Sequence, residues 1–129
     1  MINITHRQYL ISSLQRNIPE MREIYLSCGA YLYVGKQLKI KYLKDAKKRK
    51  YILLGNPFCV NITGRNVEED TNAFKGSNVN ELVKNWTGRW LIIAENEIQI
   101  DAVGLMAAFY TIDKNWCISS SLALINSVT

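Results

Sequence analysis

The fold of this chain is decided by its last third, which reads Gly88-Arg89-Trp90-Leu91-Ile92-Ile93, then Ile98-Gln99-Ile100, then Asp101-Ala102-Val103-Gly104. Leu91-Ile92-Ile93 is apolar on both faces, which is typical of a strand buried between a second sheet and a helix. Asn96-Glu97 forms a hairpin turn into the strand 98–100, and the Asp-x-x-Gly sequence is a second tight turn. The stretch therefore predicts antiparallel strands within a layered structure.

Further elements are expected on the C-terminal side of this stretch. Residues 106–110 and 116–119 are strand-like runs, and Ser120 or Ser121 caps a closing helix. Trp90 and Tyr110 lie on predicted strands flanked by apolar residues. Both rings are therefore expected in the core.

The first half of the chain predicts one helix followed by strands. Thr5-His6-Arg7-Gln8 has the pattern of a capping box, which predicts an amphipathic helix over residues 6–17. Strands are predicted at 30–34, 38–43 and 50–54. Each of them is a compact apolar run or an apolar–polar alternation.

A break and a polar region are expected after these strands. Gly55-Asn56-Pro57 should end the ladder, because Pro57 has no N–H to donate. Residues 61–76 are polar and predict the longest loop of the chain. A helix over 77–85 follows, with Ser77 as its N-cap and Gly88 just past its end.

The composition is that of an ordinary globular domain. The chain has 129 residues, 48% apolar and 21% charged, and this size favours a single domain over residues 1–129. It lacks a run of about 18 apolar residues, so no membrane association is expected. Cys28, Cys59 and Cys117 lack metal-type spacing and predict free thiols in a reducing cytoplasm. Neither a metal nor a cofactor is expected.

The net charge of +5 is concentrated in residues 36–50, where eight residues are basic and only Asp45 is acidic. Apolar and basic residues alternate here, which predicts a strand whose buried face contains Leu38, Ile40 and Tyr42. Residues 47–50 should form a hairpin turn, and replacing them with Ser or Gln should leave the fold intact. A solvated hairpin is favoured over a nucleic-acid site, because no RNA-binding, zinc-finger or helix-turn-helix motif accompanies the charge.

Residues 50–126 resemble the N-terminal glutaminase-like domain of the asparagine synthetase family, a class II glutamine amidotransferase domain with the N-terminal nucleophile (Ntn) hydrolase fold. The resemblance is carried by the strand 88–93, the Asp101-x-x-Gly104 turn, the aromatic pair Phe109-Tyr110 and the serine-led helix entry 119–121. It implies an α+β fold with Ntn-like stacked antiparallel β-sheets flanked by helices. It also implies that the aromatic pair packs in the core.

Three positions correspond to the glutamine pocket of that family. Asn56 falls where an Asn-Gly pair supplies the oxyanion-stabilising amide and a backbone N–H, although here the order is Gly-Asn. Asn78 replaces the Asp that binds the α-ammonium group of glutamine, which removes the opposite charge. Asp101 and Gly104 match an Arg-Asp-x-x-Gly turn without its Arg, and they are expected to serve as turn architecture. The resemblance thus makes Asn56, Asn78 and Asp101 the candidates for a vestigial pocket.

The resemblance also implies that catalysis has been lost. Glutaminases of this kind use a cysteine at the mature N-terminus, whereas this chain begins Met1-Ile2-Asn3. A degenerate domain with no catalytic residue is therefore expected. Its role would be packing, dimerisation, or recognition of a peptide or small molecule beside an ATP-dependent, amide-forming synthetase domain in the same or a neighbouring polypeptide. Family domains continue beyond such a closing helix, so truncation at the C-terminus is also expected.

Two other functions stay open. One is an active amidohydrolase or glutaminase with a processed nucleophile, which requires cleavage that exposes Cys28 or Thr5. The other is a basic module that binds nucleic acid or acidic partners through residues 36–50. A neighbouring reading frame with a pyrophosphate-binding loop would favour the synthetase-linked role over both.

Overall fold

The computed structural model describes residues 6–60, 64–102, 104, 106–111 and 114–128. The chain forms two compact units, one from residues 1–38 and 107–129 and the other from residues 39–106. Each unit combines a sheet with helical structure, and every strand pair of the described residues is antiparallel. The predicted α+β class with antiparallel sheets is confirmed, while the stacked Ntn arrangement stays a prediction.

Nine strands and three helices are present in the described residues. In chain order they are β1 (Tyr9–Ser12), β2 (Met21–Tyr25), β3 (Tyr31–Gly35), β4 (Ile40–Lys44), β5 (Lys50–Cys59), α1 (Val67–Ala73), α2 (Val79–Val83), β6 (Trp86–Ile93), β7 (Ile98–Ile100), β8 (Phe109–Tyr110), β9 (Cys117–Ser119) and α3 (Leu122–Val128). The first unit contains the sheet β2-β3-β1-β9-β8, and the second contains the sheet β4-β5-β6-β7.

The predicted helix over residues 6–17 is wrong, because residues 9–12 form the buried strand β1. This strand pairs with β3 on one side and β9 on the other, and all four of its residues are buried. Leu14, which the helix would have buried, is instead 43% exposed. The capping pattern is a local signal, whereas a Tyr-Leu-Ile run gains more from burial between two partner strands.

The core of the first unit brings α3 against the sheet. Leu10, Tyr33 and Leu124 form a buried cluster. The Ser121 hydroxyl accepts a hydrogen bond from the N–H of Leu124 at 3.2 Å, which is the bond of an N-cap. The predicted closing helix is thus confirmed, with Ser121 as its cap.

In the second unit, one face of the sheet packs with α1 and α2. The buried residues on this face form one cluster: Leu43, Tyr51, Leu53, Val67, Val79, Leu82, Val83, Trp86, Trp90 and Ile92. Leu43, rather than Tyr42, is the buried residue at this end of β4, and Tyr42 is 58% exposed. The predicted hairpin is confirmed, but the placement of Tyr42 on its buried face is wrong.

The predicted break at Gly55-Asn56-Pro57 is also wrong, because β5 continues to Cys59. Its pairing with β4 ends at Leu54, whereas its pairing with β6 continues to Cys59. Beyond Leu54, β5 therefore has a ladder on one side only, and a residue without an N–H is tolerated there. Gly88, expected after a helix, lies within β6 opposite Pro57.

Helix α1 occupies part of the region predicted as a long polar loop. Asn66 accepts a hydrogen bond from the N–H of Glu69 at 2.8 Å, and Glu69 accepts one from the N–H of Asn66 at 3.2 Å. This reciprocal pair is a capping box, and it starts a helix that buries Val67 and Thr71. Val67 and Thr71 are one helical turn apart, but the acidic residues around them make the segment look like a solvated loop in the sequence. Residues 61–63 of the predicted loop lie outside the described residues.

Phe109 and Tyr110 do not occupy the core, contrary to the prediction. They form the short edge strand β8 and are 44% and 69% exposed. Trp90 is 2% exposed, so its predicted burial is confirmed. No helix among the described residues is both long and apolar enough to cross a membrane.

Candidate functional site

Asp101 follows β7 and closes the end of the ladder against β6. It is 2% exposed, and its Oδ2 atom accepts hydrogen bonds from the N–H of Met106 at 2.9 Å and of Trp90 at 3.3 Å. Its carbonyl accepts a bond from the N–H of Gly104 at 3.0 Å, and Gly104 has a φ of 73°. The prediction that Asp101 and Gly104 form turn architecture is confirmed. Val103, between them, lies outside the described residues.

Asn78 is the N-cap of α2. Its side-chain oxygen accepts a hydrogen bond from the N–H of Asn80 at 2.9 Å, and the residue is exposed. The expected cap, Ser77, is thus displaced by one residue. An oxygen engaged with the first turn of its own helix satisfies a backbone donor that would otherwise be unpaired.

Asn56 lies in β5 directly opposite Arg89 and is exposed. Its neighbours contribute few free donors. The N–H of Gly55 donates to the carbonyl of Lys39 at 2.9 Å, and Pro57 has no N–H. Neither neighbouring residue therefore offers a backbone N–H that could stabilise an oxyanion beside the Asn56 side chain.

The three candidate residues have different surroundings. Asn56 and Asp101 both adjoin β6, the first opposite Arg89 and the second bonded to Trp90. One is exposed and the other is buried with its carboxylate bonded to backbone groups. Asn78 belongs to another element and caps it. Each of the described contacts of Asn78 and Asp101 orders the backbone, which is an architectural role.

A second polar cluster joins Cys59, Asp70 and Trp86, and no pattern in the sequence predicts it. The thiol of Cys59 donates to Oδ2 of Asp70 at 2.9 Å, and the indole N–H of Trp86 donates to the same atom at 3.3 Å. These residues come from β5, α1 and β6, so the carboxylate ties the helix to two strands. Eleven positions separate Cys59 from Asp70, and no short motif would reveal their proximity.

Trp86 and Trp90 extend this cluster into the core. Their rings are 5.6 Å apart at an interplanar angle of 74°, an edge-to-face arrangement. The indole Nε1 of Trp90 is buried and has no hydrogen-bond partner among the described residues. Cys59 and Phe74 pack against the hydrophobic core of the second unit, which contains both indole rings.

The turn between β4 and β5 is built around Asp45, which is 5% exposed. Its Oδ1 atom accepts hydrogen bonds from the N–H groups of Lys47 at 2.8 Å and Arg49 at 3.0 Å. Its Oδ2 atom accepts from Nε of Arg49 at 2.6 Å and from the hydroxyl of Tyr51 at 2.7 Å. The single acidic residue of segment 36–50 thus organises the hairpin.

These contacts shift two pKa values in opposite directions. Burial alone raises the pKa of Asp45, but the hydrogen bonds from Tyr51, Arg49 and Lys47 outweigh it and hold the pKa below its ordinary value. Burial, followed by the hydrogen bond to Asp45, raises the pKa of Tyr51 to about 12. Both shifts favour a charged Asp45 beside a protonated Tyr51 at neutral pH.

Arg49 also connects the turn to the segment after α1. Its guanidinium donates to the carbonyl of Gly76 and lies 5.7 Å from the centre of the Phe74 ring. The N–H of Ala46 donates to the carbonyl of Phe74 at 3.0 Å. The expectation that residues 47–50 can all be replaced without affecting the fold is therefore revised for Arg49, which is a structural residue.

The chain's similarity to known proteins adds no family assignment. No protein-family model, curated protein or solved structure matches this sequence. Within the described residues, no three His, Cys, Asp or Glu side chains are grouped so that they could hold a metal ion. The three cysteines are free thiols, as the sequence predicted.

Proposed function

We propose that this protein is a non-catalytic domain of the Ntn type, related to the glutaminase-like domain of asparagine synthetase-like proteins. It acts beside an ATP-dependent amide-forming synthetase domain. Its role there is to pack against that domain, to dimerise, or to recognise a peptide or small-molecule substrate. The proposal places it in the cytoplasm, where its thiols stay reduced. It rests on the motif order of residues 50–126, since no similarity to a known protein supports it independently.

One observation carries the non-catalytic part of the proposal: two of the three pocket candidates use their side chains to bind backbone N–H groups. Asp101 is bonded to two backbone N–H groups, and Asn78 is bonded to the first turn of α2. A pocket that binds the charged ends of glutamine needs a carboxylate or similar group directed at the ligand. Groups already bonded in this way favour a retained scaffold over a working glutaminase.

The test is an assay of ammonia release from glutamine by the purified full chain. We expect release at the background rate, because Asn78 stands where the family has the Asp that binds the α-ammonium group of glutamine. Cys59→Ala and Cys28→Ala variants should behave like the parent chain. Ammonia release that either substitution abolishes would support an amidohydrolase instead.

The partnership is tested separately with the amide-forming synthetase domain encoded in the same or a neighbouring reading frame. Sedimentation of the two chains, alone and mixed, reports both a complex and a homodimer. The proposal predicts one of these assemblies at micromolar concentration. A chain that stays monomeric and unbound beside such a domain would contradict it.

A further inference from the structure

Five lysines of segment 36–50 form no ion pair with another described residue: Lys39, Lys44, Lys47, Lys48 and Lys50. All five are exposed. The other cations of segment 36–50 contact carboxylates: Lys36 contacts Glu20 at 2.6 Å, Lys41 contacts Glu68 at 2.6 Å, and Arg49 contacts Asp45 at 2.6 Å. The structure thus separates cations that contact a carboxylate from cations whose charge the described residues do not neutralise.

Four of the unpaired cations surround the hairpin turn, and we call Lys44, Lys47, Lys48 and Lys50 the lysine tip. Lys44 and Lys50 are directly opposite one another in the β4–β5 ladder. Like charges at directly opposite positions destabilise an antiparallel pair. An anion bound between the two ammonium groups removes this repulsion. Anion binding is therefore favoured by the loss of a repulsion that destabilises the hairpin of the free chain.

The backbone of the lysine tip is held in place before any ligand binds. Asp45 accepts the N–H groups of Lys47 and Arg49, and the carbonyl of Phe74 accepts the N–H of Ala46. Lys48 adopts a φ of 64° within this turn. An anion therefore orders lysine side chains and little of the main chain, which lowers the entropic cost of binding.

An aromatic ring lies on the same face of the hairpin. Tyr42 precedes Lys44 by two positions in β4, so both side chains leave the strand on one side. The ring is 58% exposed. Proteins that bind single-stranded nucleic acid combine lysines along the phosphates with an aromatic ring on which a base stacks. Duplex bases are already stacked on one another, and an acidic side chain has no flat ring, so neither uses Tyr42 in this way.

We infer that the lysine tip and Tyr42 form a sequence-independent site for single-stranded nucleic acid. The lysines contact phosphates, and the ring of Tyr42 stacks on one base. The site involves none of Asn56, Asn78 and Asp101. A test of this site is therefore independent of a test of the proposed function.

The experiment is a fluorescence-anisotropy titration of a labelled mixed-sequence 12-nucleotide RNA with the full chain between 50 and 150 mM salt. Nonspecific binding of this kind has dissociation constants of roughly 1–100 µM at physiological salt. Four phosphate contacts predict a slope of about −3 when log K is plotted against log salt concentration. The duplex of the same sequence should bind more weakly than the single strand.

Substitutions assign the contacts. The double variant K47Q/K48Q should bind more weakly and reduce the magnitude of the slope by about 1.4. Y42L should weaken binding about 5-fold without changing the slope, since stacking carries no charge. The matched controls are K84Q/K114Q, which removes two exposed lysines elsewhere, and Y25L, which removes an exposed ring of the first unit. Both controls should bind like the parent chain, and circular dichroism confirms that each variant folds.

Several results would overturn the inference. One is an equal loss of affinity in K84Q/K114Q and K47Q/K48Q, which would show a diffuse effect of net charge. Another is unchanged binding by Y42L or tighter binding of the duplex. Polyglutamate that competes as well as the RNA, charge for charge, would assign the lysine tip to an acidic protein partner instead.

Discussion

Asp45 is buried and accepts four hydrogen bonds from the turn that it organises. Asp45→Asn keeps the shape but removes the charge that Arg49 and Tyr51 contact. We expect it to lower the free energy of unfolding by about 2–3 kcal/mol at pH 7, because bonds to a charged group are stronger than neutral ones. Urea denaturation measures this loss. Glu95→Gln, the same change at an exposed carboxylate, should alter stability by less than about 0.5 kcal/mol.

The same residue predicts how stability depends on pH. Because the folded pKa of Asp45 is lowered, the charged carboxylate stabilises the fold above its ordinary pKa of about 4, and this contribution is lost as pH falls through the folded value. The stability difference between the parent chain and Asp45→Asn should therefore shrink below about pH 4. A difference that stays constant from pH 6 to pH 2 would contradict this assignment.

Tyr51 predicts an effect at the other end of the pH range. Its pKa is raised to about 12, so the protonated hydroxyl stabilises the fold below its ordinary pKa of about 10. This contribution is lost as pH rises through the folded value. Tyr51→Phe cannot ionise, and its stability should fall less steeply between pH 10 and 12 than that of the parent chain.

Trp90 and Tyr110 are aromatic residues that the sequence placed together in the core but the structure separates. Trp90→Ala should destabilise the fold by about 3–5 kcal/mol, because it empties a site that is 2% exposed. Tyr110→Ala should cost less than about 0.5 kcal/mol, because that ring is 69% exposed. Denaturant melts of the two variants give the comparison. Similar losses for both would show that the edge strand β8 is more tightly packed than its exposure indicates.

At the scale of elements, the β5–β6 pair depends on a glycine where the strands approach closely. Gly55 has a φ of 94°, and a Cβ atom built on it would meet the carbonyl oxygen of Arg89 and the side chain of Met106 at less than contact distance. Gly55→Ala therefore combines backbone strain with a clash against main chain. Gly64 also has a positive φ, 73°, but a Cβ there meets nothing within 4 Å.

The two glycines give a matched pair of variants. Gly64→Ala should cost about 1–2 kcal/mol, the strain of a left-handed conformation alone. Gly55→Ala should cost clearly more, because β5 and β6 must also move apart. Thermal melts of both variants separate strain from close approach. Equal losses would mean that the ladder adjusts to the extra atom without effect.

The elements that the sequence predicted well are those whose signal is local and repeated. Leu91-Ile92-Ile93 is apolar on both faces, and it forms the buried end of β6 as expected. The elements that it missed depend on distant partners. The strand β1 forms only because β3 and β9 lie on its two sides, and Pro57 is tolerated in β5 only because β4 has ended. Neither circumstance can be read from nearby residues.

The candidate site shows the same division. The Asp101-x-x-Gly104 spacing was sufficient to predict a turn, since the geometry of that turn involves adjacent residues. The contact between Cys59 and Asp70 requires β5 and α1 to be packed together, and the spacing of the two residues in the sequence does not predict it. The sequence also does not show which basic residues contact a carboxylate. Lys48 and Arg49 are adjacent cations, and only the structure shows that Arg49 is bonded to Asp45.

At the scale of the whole molecule, the three thiols differ in how deeply they are buried. Cys28 is exposed, Cys59 is intermediate and Cys117 is buried. A thiol reagent added to the native chain should label Cys28 first, Cys59 more slowly, and Cys117 only when the fold opens. Mass spectrometry of the labelled peptides gives the order. Early labelling of Cys117 would show that β9 opens without global unfolding.

The two units differ in how the chain supplies them. The second is one continuous segment, residues 39–106, whereas the first needs both ends of the chain, and its strand β1 bonds to Ser119, 110 positions away. During synthesis, all of the second unit is translated before β9, which is the second partner strand of β1. Pairing over such a separation also closes a long loop, which slows folding. In the nascent chain, the edge of β1 that faces β9 therefore stays unpaired until β9 has been made, although β3 can already pair with its other edge. The open edge of this apolar strand is most exposed to aggregation or to a chaperone during this interval.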